Sequence, residues 1–422
     1  MERYSSYKDS GIFWQPVMPD SWRVTRLKNI LSKLDRARTP NDELLVCSNS
    51  GEVKKRGDNK LGLVADSDEI YQGVMSGDLL IHGMDTWHGA IAVSKLDGMC
   101  TPVVHVCDSS QIKEFVALYL RNMASQKIFK LISNGVRQNT SDFRSWSKLG
   151  CIPIAIPPLA EQEKIVSYLE DKTSKIDAYV ADKEKEIELL QELKQKTIAD
   201  AVTKGLNPDA KMKDCSSLIS SSCPEYWKIV RNKSFLSVTG EKVGKKASEF
   251  VLLSLTTKGV IVRDIESGKG KFPKDFDTYQ IVKPNELVFC LFDIDETPRT
   301  VGLVETEGML TGAYTAFKVY TELAIPEYIY NYYLCVDNIK ALKPYYSGLR
   351  KTVRADKFQQ IYMPLPPLDE QQAIVASIEE KCEKIDKLAS ELQSEIDYLK
   401  EYKQRLIADC VTGQINVQNE MI

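Results

Sequence analysis

The chain has 422 residues, 43% hydrophobic and 27% charged, with a formal net charge of −3. That length exceeds what one core usually supports, so two or more domains are expected. The composition reads as soluble and globular, and no apolar run approaches the ~18 residues of a membrane span.

The opening MERYSSYKDSGIFW lacks the apolar core of a signal peptide, which makes the cytoplasm the expected location. Ten cysteines without a C-x-x-C pair, and only three histidines, argue against a zinc site and for reduced, buried thiols. Charge is unevenly spread. Residues 1–155 and 215–360 each carry 20 Lys+Arg against 17 Asp+Glu, a net of +3 apiece, and the remaining segments carry −9. A phosphate backbone responds to such local charge rather than to the total.

In chain order, the first block (1–155) opens at Pro19-Asp-Ser-Trp22. It holds short β-like runs at 44–48, 91–96 and 103–107, then an amphipathic helix at 111–123. A long helical segment follows (156–209), entered by Pro157-Pro158 and left at Gly205, with no Pro or Gly between. The second block (210–362) repeats the design with runs at 250–255 and 287–292 and a helix at 326–338. The last segment (363–418) is again a long helix, from Pro366-Pro367 to Gly413.

The two long segments are one sentence written twice. PPLAEQEKIVSYLEDKTSKID at 157–177 returns as PPLDEQQAIVASIEEKCEKID at 366–386, and the 209-residue offset runs without a gap to Val202/Val411. About half of the paired positions are identical. Ile378, Ile385, Leu392, Leu399 and Leu406 recur every seven residues, the mark of a coiled-coil seam. The first copy places Leu169, Ile176, Lys183, Leu190 and Thr197 there, a weaker seam widened by residues such as Val180, Ile187 and Leu193. A helix of this length spans about 65–70 Å at ~1.5 Å per residue, so it needs an equally long partner, and the other copy is the natural one. The alternative is two amphipathic helices, each buried in its own domain. The blocks also correspond faintly: Trp22 with Trp227, Tyr71-Gln72 with Tyr279-Gln280, Gly77-Asp78 with Asn285-Glu286, Gly98-Met99 with Gly308-Met309, and Gly135-Val-Arg137 with Gly348-Leu-Arg350.

A variable block followed by P-P-L-x-E-Q-x-x-I opening a long helix, twice over, resembles the specificity subunit of type I restriction–modification systems, which serve in phage defence. The resemblance implies an α+β fold with two mixed α/β target recognition domains. Two long antiparallel helices would join them as a coiled coil, related by a pseudo-twofold internal repeat. Each globule would read one half of a bipartite site in double-stranded DNA. The coiled coil would set the spacing and dock two modification (methyltransferase) subunits, which two restriction (translocase and nuclease) subunits can join. S-adenosylmethionine, ATP and Mg²⁺ would belong to those partners, leaving this chain non-catalytic and without a cofactor, metal or membrane of its own.

Residue chemistry adds DNA-contact candidates. By family position the leading ones are Arg137, Gln138 and Asn139, with Arg350, Lys351 and Arg354. Lys54, Lys55 and Arg56, and Lys242, Lys245 and Lys246, sit in Gly-containing loops and suit phosphates; plain surface solvation explains them equally. Trp87 and His88 form a Gly-flanked polar–aromatic stretch able to enter a groove, or a half-buried Trp beside a surface His. Trp22 and Trp227 read as core anchors.

Sequence chemistry for catalysis is thin. Neither a [DNS]-P-P-[YFW] methyltransferase loop nor a G-x-x-x-x-G-K-[ST] phosphate loop occurs. Asp42 with Glu52 and Lys54 has a nuclease-like spacing that arises easily by chance. A standalone methyltransferase or nuclease with fused recognition domains, and a coiled-coil scaffold that ignores nucleic acid, stay open as alternatives.

Overall fold

The β-branched runs become strands. A computed structural model of the chain describes residues 2–39, 42–57, 70–133, 141–263, 276–348 and 351–419. Two compact units form: Met1–Glu184 with Ser394–Ile422, and Lys185–Gln393.

In the first unit a four-stranded antiparallel sheet runs in the order Leu31–Lys33, Val104–Ser109, Leu79–His82, Ile91–Val93. The helix Lys113–Ser125 buries Phe115, Tyr119, Leu120 and Met123 against it. A hairpin, Leu45–Cys47 with Val53–Lys55, adds a satellite core of Leu45, Val74, Leu80 and Val106. The second unit repeats this topology: Leu236–Thr239, Thr315–Val319, Leu287–Phe289, Val301–Leu303, with the helix Pro326–Asn338 and the hairpin Leu253–Thr256/Gly259–Val262. Trp22 and Trp227 are each 1% exposed, as core anchors should be.

The faint correspondences between the blocks have physical causes. Gln72 Nε2 donates to the Val104 and Thr101 carbonyls, and Gln280 Nε2 to those of Tyr314 and Thr311. Asp78 accepts the Met75 N–H at 2.7 Å, and Glu286 that of Lys283 at 2.9 Å. Gly77 and its counterpart Asn285 both sit at positive φ (89° and 68°), a conformation those two residue types tolerate best. A Cβ on Gly98 would meet the Glu43 carbonyl oxygen at 2.5 Å, and one on Gly308 that of Val251 at 2.7 Å, so only glycine fits.

The long helices span Leu159–Lys204 and Leu368–Val411. Each contributes its two halves to different units. Within the first unit they run antiparallel: Lys403 Nζ reaches Asp177 at 2.6 Å, Lys400 reaches Glu184 at 3.0 Å, and Lys183 reaches Glu395 at 3.4 Å. Ile165 and Leu169 there share a core with Leu406, Cys410 and Val411. Within the second unit Lys194 reaches Asp386 at 2.7 Å, and Ile198 and Val202 share a core with Ile374 and Ile378. The pairs Lys194–Asp386 and Lys403–Asp177 are equivalent under the 209-residue offset.

Seam positions alternate by four and three residues, the 3.5-residue period that keeps one face on the partner helix. Leu169 is buried, with Ile176 and Leu190 half-buried; on the other helix Ile378, Leu392 and Leu406 are buried, with Ile385 and Leu399 half-buried. The intervening places go to Val180, Ile187 and Ala201 and to Ile396 and Cys410. Lys183 occupies a seam place by lying over the Tyr179 ring while its ammonium meets Glu395. Leu193, expected in the apolar stripe, is 50% exposed instead. The stripe narrows to strict alternation, and Lys194 takes the inward place.

The duplicated Glu-Gln explains why the sentence is written twice. Trp22 Nε1 donates to Glu161 Oε1 at 2.8 Å, and the Tyr4 hydroxyl donates to the same atom. Trp227 Nε1 and the Tyr226 hydroxyl donate to Glu370 at 3.1 and 2.9 Å. The next residue ties down the globule's own helix. Gln162 Oε1 accepts the Ile112 N–H at 3.0 Å and Gln371 Oε1 accepts that of Ile325 at 2.8 Å, each the residue just ahead of that helix. Both amides also donate to the carbonyl of their own first proline at 2.9 Å. The far end of the other long helix closes the joint. Gly413 and Gly205 leave their helices at φ +73°, and a Cβ on either would lie 3.2–3.3 Å from Cζ2 of Trp22 or Trp227.

Candidate nucleic-acid interface

The basic candidates divide by whether their charge is already answered. Lys54 pairs with Glu52 at 2.6 Å and Lys55 with Glu43, both on the hairpin Leu45–Cys47/Val53–Lys55, where they stay solvent-exposed. The Lys54 ammonium holds the Glu52 carboxyl below its usual range. Arg56 follows, half-buried, its N–H bonded to the Leu44 carbonyl. Glu52 and Lys54 thus form an ion pair, while Asp42 accepts bonds from Thr39 on its own turn. Among the described residues no three His, Cys, Asp or Glu side chains could together hold a metal ion.

Lys242, Lys245 and Lys246 are solvent-exposed and unpaired among the described residues; the last two ride on a 3₁₀ turn, Gly244–Glu249. Beside them lies a cleft of about 550 Å³ lined by Lys283, Lys318, Asn285, Glu241 and Glu286. Lys283 and Lys318 were not singled out by sequence. Each stands alone in sequence, and only the fold brings them to one cleft.

Lys351 sits at φ +45° and is answered by Asp295 at 3.3 Å and Glu296 at 3.7 Å. The Tyr346 hydroxyl bonds the same Asp295 at 3.0 Å. Arg354 precedes the short helix Ala355–Phe358 and pairs with Asp356 at 3.1 Å, while the intervening Val353 is buried and its N–H bonds the Leu291 carbonyl. The basic run is therefore anchored at its middle with its cations outward. Arg137, Gln138, Asn139 and Arg350 lie outside the described residues.

Trp87 packs its ring against the first core, and the preceding Thr86 is fully buried and bonded to Ser141 at 2.7 Å. That leaves the indole half-buried and His88 exposed. His82 lies against Asp85 at 3.2 Å, and burial pulls its pKa down; His105 bonds the Phe143 carbonyl from within the core.

The paired helices carry a second kind of surface. Tyr179, Tyr398 and Tyr402 are exposed in the first unit, and Leu388, Leu189 and Leu193 in the second. Under the 209-residue offset these are the same three positions. The Tyr179 hydroxyl donates to Glu395, one heptad from Tyr402, so Tyr179 and Tyr402 flank the seam on one side.

Comparisons with known proteins agree with one another. The family described as type I restriction modification DNA specificity domain matches residues 308–398, spanning the end of the second globule and the first part of its long helix. A relative from Methanocaldococcus jannaschii, named as the MjaX specificity subunit of a type I restriction enzyme, is 23% identical, with 95% of each chain covered. Among solved structures, a chain from work on complex assembly and conformational transition of the type I R-M system superposes with a TM-score of 0.69 at 15% identity, covering 94% of this chain and 99% of that one. The HsdS subunit of Thermoanaerobacter tengcongensis gives 0.51 at 16% identity, covering 94% and 98%. The matched specificity domain, the relative aligned along 95% of its length and the repeat that writes the same design into residues 1–204 make the chain similar, along nearly its whole length, to the specificity subunits of type I restriction–modification systems.

Proposed function

We propose that the chain is the sequence-specific DNA-binding subunit of a type I restriction–modification complex and is itself non-catalytic. Residues 1–155 and 210–362 each read one half of a bipartite site, and the paired helices are the spacer between the half-sites. The observation that carries this reading is the duplicated joint. Glu161-Gln162 and Glu370-Gln371 fasten their globules to the helices through the same bonds, while the basic and polar loops of the two globules differ. Equal joints with unequal loops suit an asymmetric site whose gap is a property of the protein.

Two equivalent apolar patches, one per unit, suit two copies of one partner, the modification subunit. The alternating fours and threes leave the polar faces outward and these patches as exposed apolar surface. Restriction subunits would join through that complex. S-adenosylmethionine, ATP and Mg²⁺ are assigned to the partners, and the assembly to the cytoplasm. Among the described residues no helix is long and apolar enough to cross a membrane.

Mapping methylated adenines genome-wide with and without this chain tests the reading. A two-part, asymmetric motif with a fixed gap should lose its methylation when the chain is deleted. Methylation unchanged by the deletion, or methyl transfer by the purified chain alone, would overturn it.

A further inference from the structure

A cavity of about 250 Å³ lies in the first unit beside the Trp87 turn, walled by the helix Lys113–Ser125 and by Gln404 and Ile407 of the second long helix. Its floor is apolar, from Leu118 and Ile407, and its upper wall is polar. Asn122 lines it at 9% exposure, and among the described residues its side chain bonds nothing. Arg121 lines it too, spending one N–H on the Ser50 carbonyl at 2.6 Å and keeping the rest of its fork. Burial lowers the Arg121 pKa. The guanidinium and the amide thus line one cavity with hydrogen-bonding capacity to spare.

The internal repeat supplies a control. The helix Pro326–Asn338 is the counterpart of Lys113–Ser125, aligned by the equivalent bonds from Gln162 to Ile112 and from Gln371 to Ile325. At the places of Arg121 and Asn122 it carries Leu334 and Cys335, both packed into the second core. The fold therefore works with apolar residues at both places, and the polar pair of the first unit answers to another requirement.

We propose that this cavity binds a small free oxyanion, a phosphate or a carboxylate, held by the Arg121 fork and the Asn122 amide over the Leu118–Ile407 floor. The volume falls below the roughly 300–1,000 Å³ of pockets for drug-sized ligands, which limits the occupant to a few heavy atoms. Because globule and helix both wall the cavity, its occupant braces the first globule against the helix that closes it.

Inorganic phosphate is the probe, added to the full chain labelled with ¹⁵N at tryptophan, at ionic strength matched with chloride. The indole N–H signal of Trp87, identified by its loss in Trp87→Phe, should shift and saturate in the millimolar range while the other four stay in place. The shift should vanish in the double variant Arg121→Leu, Asn122→Cys, which borrows the residues of the second unit. Should that variant lose its dispersed indole signals, Arg121→Lys is expected to weaken binding several-fold. No saturable shift, an equal response in either variant, or displacement of phosphate by duplex DNA, which would make the cavity part of the DNA-reading surface, would each overturn the proposal.

Discussion

Glu161 is the smallest feature on which the arrangement of a whole globule turns. It is 5% exposed and receives the Trp22 indole, so removing its carboxylate strands a buried donor. Replacement by alanine should cost about 1–3 kcal/mol, seen as an earlier denaturant midpoint. Glu161→Gln keeps an acceptor at the same reach and should cost less; equal losses would mean that packing rather than the bond matters. Burial, helped by the same carboxylate, raises the Tyr4 phenol, which therefore stays protonated and donating throughout the physiological range. Of this joint the sequence showed the Glu-Gln pair and the two tryptophans, but not what they hold. Ile112 and Ile325 contribute backbone N–H groups, which no side-chain pattern announces.

The helices were legible because nothing interrupts them and their apolar positions keep a seven-residue period, a signal that burial alone produces. Leu193 misled for a local reason: isoleucines and leucines at neighbouring places suggested a broad stripe, while a strict seam leaves one of them outside. Direction and register rest on polar residues. Reversing one pair, Lys194→Asp, should weaken the helix pairing of the second unit, and adding Asp386→Lys should restore most of the loss. As both groups are partly exposed the effect is about 0.2–1 kcal/mol, read in a double-mutant cycle. Changing Leu392 and Leu399 together to Asp puts charge into the seam and should abolish both cooperative unfolding and assembly with the modification subunit. A complex of normal stoichiometry from that variant would rule out the paired helices as its foundation. The candidate nucleic-acid surface was far less legible. Loop backbones decide which cations converge, and Lys283 and Lys318, 35 positions apart, share a cleft only in the folded chain.

At the scale of the molecule, a chain of net charge −3 is expected to bind a polyanion through two locally basic globules. Affinity should then fall linearly on a log–log plot against salt, by about 0.9 per phosphate neutralised. Replacing Lys242, Lys245 and Lys246 with alanine should lower that slope by roughly 2–3 and weaken binding alike on cognate and unrelated DNA. A loss confined to the cognate sequence would make them base readers. One further consequence comes from the way each unit borrows the closing half of the other long helix. The first unit is closed by residues 394–422 from the far end of the chain, the second is one continuous stretch, 185–393, and residues 185–204 spell nearly the same heptads as 394–413. A gene cut in the middle would thus yield halves able to lend one another the missing strut, two copies of the first half re-forming a symmetric protein that reads a palindrome. New specificities are then open to a lineage by trading halves, with no joint to reinvent.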